Sequence, residues 1–142
     1  MTVLSKDELY CFIARQRYGV VATTQADGSS ESALVGIAVS PELEIHFDTL
    51  GDTRKAVNLR RDPRISAVIG WDNEQSVQLE GSADEPKGEA LAALKRIYFA
   101  AWPDGPTRES WPGITWFRIR PRWIRFSDFT RKDDVVRELR LG

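Results

Sequence analysis

Short runs with the two-residue alternation of β-strands follow one another closely along this chain. Residues 20–24 and 32–39 flank an Asp27-Gly28 turn, a pair that strongly favours a β-hairpin. Short turns join antiparallel neighbours, whereas parallel strands need long crossovers. We therefore expect a mostly antiparallel sheet of about seven strands. With helices inserted between the strands, the pattern predicts a small, mainly β barrel with peripheral helices.

Capping and turn signals set the predicted boundaries. Ser5 and Glu8 form a capping box at the start of a first helix, and Pro63 stops a second helix. Pro121 predicts a break between the last two strands, and the polar tail is expected to form a short helix. The predicted helices cover residues 5–17, 53–61, a segment opening at 86–89, and the tail around 135–139. The predicted strands cover residues 20–24, 32–39, 43–48, 64–71, 77–81, 114–120 and 123–126.

Composition excludes several classes of function. The net charge of -1 argues against a general nucleic-acid binder, which is usually basic. The single cysteine, Cys11, and the single histidine, His46, cannot form an intrachain disulfide or a Cys/His zinc site. The sequence contains no apolar run of membrane-spanning length and no secretory signal at its start. At 142 residues we expect one domain over 1–142, located in the cytoplasm without membrane association.

The segment 45–59 predicts a strand, a polar turn and the start of a helix. Arg54 and Lys55 stand side by side in the first helical turn, where cations oppose the helix dipole. Their placement is explained if an anion binds among the two cations, the backbone N–H groups and the hydroxyl of Thr53. A phosphate group is the natural occupant. The alternative is a solvated basic helix start, and the residues alone leave both open.

Two other segments could contact a ligand. Residues 32–38 are rich in small side chains, which allow the close approach of another backbone or a flat ligand, or packing under a helix. Residues 101–113 form a loop with two Trp-Pro pairs, and Trp102 and Trp111 are costly to expose. These two side chains cover a ligand, lie at an interface, or pack within their own loop.

The sequence has no nucleophile elbow, Walker loop, dinucleotide fingerprint or metal-binding helix. His46 lies in the middle of a predicted strand without an acidic partner, so we interpret it as structural. If the chain is an enzyme, we expect a cofactor to supply the chemistry.

Several ordered motifs resemble the pyridoxamine 5'-phosphate oxidase-like FMN-binding split barrels, from about residue 9 to residue 129. Each motif is weak alone, but the ordered set is fairly specific. The motifs are Gly19-Val20-Val21-Ala22-Thr23, Phe47-Asp48-Thr49, Thr53-Arg54-Lys55, Asn58-Leu59, Asp62-Pro63-Arg64-Ile65 and Val77-Gln78-Leu79-Glu80-Gly81.

The resemblance implies a split β-barrel homodimer with FMN at the subunit interface. It implies that Arg54 and Lys55 hold the FMN phosphate, with Thr53 beside them. Other positions that match the family's cofactor contacts are Leu34, Val35, Gly36, Asp48, Thr49, Gln75 and Ser76. Trp102 and Trp111 are candidates for the substrate side.

The implied activity is an FMN-dependent oxidoreductase acting on an unidentified small molecule. Small or apolar residues replace an arginine that the family carries near Ser32, which points away from pyridoxamine phosphate as the substrate. The alternatives are a flavin-binding or stress-related module without turnover, and a split barrel that binds a deazaflavin or haem. With one mid-strand histidine, haem is the weaker of these expectations.

Overall fold

The computed structural model describes residues 3–142 as eight strands, three α-helices and one short 3-10 helix. The helices are α1 (Lys6–Ala14), α2 (Arg54–Arg61) and α3 (Gly88–Ala101), and the 3-10 helix covers Gly105–Arg108. The strands are β1 (Tyr18–Thr24), β2 (Ser30–Gly36), β3 (Ala38–Val39), β4 (Ile45–Leu50), β5 (Arg64–Ile69), β6 (Gln75–Asp84), β7 (Ile114–Asp128) and β8 (Val136–Arg140). Within this described part, no helix is long and apolar enough to cross a membrane.

All strands belong to one antiparallel sheet with the order β2-β1-β5-β6-β7-β4-β3, and β8 adds to β7. The sheet curls so that β2 approaches β4 across the gap between its two ends. The predicted mainly β, antiparallel split barrel with peripheral helices is therefore confirmed.

The core has two parts. Inside the curved sheet, alternate residues of the strands pack against α1 and α2, with the Phe12 and Phe126 ring centroids 4.8 Å apart. On the outer side, α3 covers β3, β4 and β7 through Leu94 and Tyr98, which contact Ala38 and Trp116. Burial of each large apolar side chain contributes about 2 kcal/mol. Helix α3 is therefore fixed against the strand that leads into α2.

The predicted break at Pro121 is wrong, because β7 runs through it as one strand of 15 residues. The pairing register shifts at this point, from Glu80 opposite Trp123 to Gly81 opposite Pro121. A bulge tolerates proline because its missing N–H is not needed in the ladder. Glycine fits opposite because a Cβ at Gly81 would lie 2.1 Å from the backbone oxygen of Arg120.

The predicted terminal helix is also wrong, because the tail forms strand β8 along β7. Arg137 is buried on this strand, and its guanidinium donates two hydrogen bonds to the Glu8 carboxylate on α1, at 2.9 and 2.6 Å. This ion pair connects the tail to the first helix. The predicted strand over 32–39 divides into β2 and β3 at Ile37, whose N–H donates to the Arg17 carbonyl.

His46 lies on the face of β4 that α3 covers, and only 2% of the residue is exposed. Its Nδ1 has no hydrogen-bond partner within the described chain. Burial, with Arg118 as a second cause, lowers the pKa of His46 from 6.5 to about 4. The structure thus agrees with the interpretation of His46 as a structural residue that stays neutral at pH 7.

The buried neutral His46 predicts a pH dependence of stability. Between pH 4 and 6.5 the unfolded chain binds a proton that the folded chain does not. The free energy of unfolding should therefore rise with pH across this window, by up to about 3 kcal/mol, and the His46→Gln variant should lack this component. Urea unfolding of both proteins at several pH values measures the difference. An NMR titration of the single imidazole with a midpoint near 6.5 would contradict the prediction.

Candidate functional site

The start of α2 is a helix terminus without a side-chain cap. Thr53 occupies the N-cap position, but its side chain makes no capping hydrogen bond. The Thr53 hydroxyl instead donates to the Leu50 carbonyl at 2.9 Å. Thr49 lies 2.9 Å from the same hydroxyl and supplies the proton of that contact. The first N–H groups of α2 therefore remain available to an external acceptor.

Arg54 and Lys55 have no partners in the part of the chain that the structure describes. Neither side chain makes an ion pair or a hydrogen bond within residues 3–142. In contrast, Arg60 on the same helix binds the Glu85 carboxylate through two nitrogens, at 2.9 and 3.0 Å. Two uncompensated cations beside free N–H groups form a site that attracts an anion.

Asp48 belongs to a network that the sequence did not reveal. Arg108 Nε donates to one carboxylate oxygen at 2.8 Å, and the Tyr98 hydroxyl donates to the other at 3.2 Å. Burial, and then the negative charge of Asp48, raise the pKa of Tyr98 above its usual range. Tyr98 therefore stays protonated, and the network fixes the end of β4 beside α3.

Residues Leu34, Val35 and Gly36 form the end of β2, an edge strand of the sheet. Leu34 is 62% exposed and Val35 is buried. The Tyr98 hydroxyl also lies 3.3 Å from the Gly36 carbonyl, so this end of β2 is adjacent to Asp48. The structure thus brings Gly36 beside Asp48 on β4, the strand that leads into α2.

Trp102 occupies the space that Gly36 leaves. A Cβ at Gly36 would lie 2.7 Å from the Trp102 ring, and the indole N–H donates to the Ile37 carbonyl at 2.9 Å. The small residue at 36 thus accommodates an aromatic ring of the same chain. Trp111 is 50% exposed and follows the 3-10 helix. The long loop predicted over 101–113 is shortened by α3 and by this 3-10 turn.

Gln75 and Ser76 begin β6, at the opposite end of β7 from Thr49 and the start of α2. Ser76 pairs with Ser127 near the end of β7, whereas Thr49 pairs with Thr115 near its start. Twelve residues of strand separate the two points, about 40 Å along the backbone. The Gln75 amide donates to the Asp128 carboxylate at 3.0 Å. Along the sheet, Gln75 and Ser76 are therefore separated from the segment that leads to Arg54 by nearly the length of β7.

Tyr98 and Arg108 are the residues near this site that the sequence analysis missed. In the sequence, Tyr98 lies among apolar residues at helical spacing in the third helix, and Arg108 lies within the loop that carries the two Trp-Pro pairs. Their contacts with Asp48 span 50 and 60 residues of sequence. The helical spacing of Tyr98 signalled burial, but no local pattern indicated its polar partner.

Three solved structures illustrate the fold. A heme binding protein from Mycobacterium smegmatis superposes with a TM-score of 0.82 at 20% identity, and the match covers 99% of this chain but 60% of that one. A conserved hypothetical protein from Mycobacterium tuberculosis gives a TM-score of 0.73 at 29% identity, with coverages of 89% and 86%. The General Stress Protein 26 from Bacillus anthracis gives 0.71 at 20% identity, with coverages of 96% and 98%.

The comparison with protein families agrees with the fold and with the sequence motifs. The profile described as pyridoxamine 5'-phosphate oxidase matches residues 5–128, which is most of the chain. The matched range contains every strand from β1 to β7 and the whole anion-attracting start of α2. The chain therefore belongs to the pyridoxamine 5'-phosphate oxidase family of split barrels.

Proposed function

We propose that this protein is a homodimeric FMN-binding oxidoreductase that acts on a small molecule. The observation that carries the proposal is the start of α2, where Arg54 and Lys55 lack partners beside uncapped N–H groups. A phosphate monoester matches this arrangement, because it accepts several hydrogen bonds and carries up to two negative charges. When bound, FMN would supply hydride transfer.

The residues present fit the phosphate end of FMN. Arg54 and Lys55 would hold the phosphate, Arg54 through the planar donor groups of its guanidinium and Lys55 through its compact positive charge. Thr53 contributes to the same pocket, and Thr49 keeps the Thr53 hydroxyl in place. Asp48 is already bound by Arg108, so its assigned role is to hold the strand end that the flavin follows.

The outer face of the sheet supports the proposed dimer. Leu34, Val20 and Val68 are direct neighbours across β2, β1 and β5, on the opposite face from the buried Val35, Val21 and Ala67. Leu34 and Val68 are 62% and 39% exposed, a row of apolar side chains that association would bury. Ser76 lies next to the buried Val77 and therefore faces this same outer side.

A second copy also resolves the separation of the site residues. Gln75 and Ser76 lie at the opposite end of β7 from the strand segment that leads to Arg54. In a symmetric dimer built on the outer face, these polar side chains would reach the cofactor held by the other subunit. We assign the substrate side to the exposed Trp111 and the partly exposed Trp102.

Haem binding is the second candidate, because a heme binding protein shares this fold at a TM-score of 0.82. His46 fits an iron ligand poorly, since it is 2% exposed and lies under α3. A haem bound to this chain would need a different ligand or a displaced α3. The geometry therefore favours a phosphorylated flavin.

The anion site predicts the effect of removing its charges. The Arg54→Gln/Lys55→Gln double variant should bind FMN at least 100-fold more weakly, because each charged hydrogen-bonding partner contributes about tenfold or more. Fluorescence titration of the apoprotein with FMN measures this loss. The Lys87→Gln/Arg140→Gln variant removes two exposed charges elsewhere and should keep wild-type affinity. Equal affinity of the site variant and wild type would overturn the assignment.

The proposed interface predicts that Val68→Glu produces a monomer. A carboxylate placed in the apolar row would lose its hydration on association, which opposes the dimer. Sedimentation velocity at micromolar concentration should show a dimer for wild type and a monomer for the variant. Val3→Glu, at a position that is 82% exposed, is the matched control and should remain dimeric. A monomeric wild-type protein would contradict the two-subunit site.

A further inference from the structure

A second cavity lies between α1 and α3, on the free side of β3. Its volume is about 460 Å³, within the range of small-molecule pockets. Apolar side chains of α1, β3 and α3 form its walls, including Ile13, Val39 and Ile97. None of its lining residues belongs to the proposed flavin site.

The cavity has few polar groups, and the only charged group among its described lining residues is positive. Arg96 is the one charged residue that lines it, and no carboxylate does. Arg96 makes no ion pair or hydrogen bond within residues 3–142, and the Tyr10 hydroxyl likewise has no partner there. An unpaired guanidinium and a free hydroxyl at an apolar cavity suit an anionic head group.

A smaller cavity of about 200 Å³ adjoins the first and shares four of its lining residues, Gln16 and Ile37 among them. Arg15 and Arg17 line it, and neither makes an ion pair within the described range. The Arg17 guanidinium lies 3.9 Å from the centre of the Trp102 ring, which holds the charge at this end of the cavity. The positive potential therefore extends along the whole groove.

We propose that this groove binds a small apolar carboxylate of the medium-chain fatty acid class. The apolar walls would contact the hydrocarbon chain, and Arg96 with Tyr10 would bind the carboxylate. Burial of the chain drives the association, and the cation selects the charge of the head group. The groove is closed on three sides by α1, β3 and α3, which suits a small molecule rather than a folded partner.

Binding of dodecanoate below its micelle concentration, measured by calorimetry on the full-length protein, tests the proposal. We expect saturable binding of one dodecanoate per chain and no comparable binding of dodecyltrimethylammonium, which has the same tail and the opposite charge. Arg96→Gln should weaken dodecanoate binding about tenfold. Ala100→Phe should abolish it, because Ala100 is an exposed lining residue whose enlargement fills the groove at little cost to folding.

Two variants serve as matched controls. Ala90→Phe enlarges an exposed alanine of α3 that does not line the groove, and Arg140→Gln removes an exposed charge outside it. Both should bind dodecanoate as wild type does. Absence of binding, equal binding of the cationic amphiphile, or unchanged affinity in both groove variants would overturn the proposal. If a second copy of the chain covers the groove, dodecanoate will not bind, and the proposal is overturned.

Discussion

The long antiparallel strand β7 is the constraint on which the rest of the structure depends. It pairs with β6 along one side and with β4 and then β8 along the other. The bulge opposite Gly81 lets the strand pass through Pro121 and bend without losing its pairing. Because β7 joins both halves of the barrel, it fixes how far apart their functional groups lie. The anion-attracting start of α2 is at one end of this strand, and Ser76 is at the other.

The separation between the start of α2 and Ser76 is the reason that a dimer matters for the proposed site. One chain presents the cations and the hydroxyls at the start of α2, whereas its Gln75 and Ser76 lie at the other end of β7. The apolar row on the uncovered sheet face and the polar side chains near Ser76 lie on the same outer side. Association through this face would therefore bury apolar surface and complete the site in one step.

Local signals in the sequence were sufficient for much of the fold. Ser5 caps α1 as expected, with the Glu8 N–H donating to the serine hydroxyl, although the Glu8 carboxylate binds Arg137 instead of completing a capping box, and the Asp27-Gly28 turn joins β1 to β2. Likewise, α2 begins at Arg54, so Arg54 and Lys55 stand in the first turn of a helix as expected. These features depend on neighbours within a few residues, which a single sequence displays directly.

Non-local pairing explains the errors. The tail has apolar residues at helical spacing, but the free edge of β7 and the Arg137–Glu8 ion pair favour a strand. The prediction of a break at Pro121 was wrong because a β-bulge depends on how two strands pair, and the sequence of one strand does not show this pairing. Similarly, the contact between Arg108 and Asp48 joins segments 60 residues apart, so neither residue indicates it alone.

The central claim is that the start of α2 recognises the phosphate of a flavin. The most direct test compares the affinity of the apoprotein for FMN and for riboflavin, which share the ring system and differ by that phosphate. The account predicts that FMN binds at least 100-fold more tightly, since Arg54 and Lys55 contact only the phosphate. Equal affinities for the two flavins would contradict it, as would a protein that binds hemin and neither flavin.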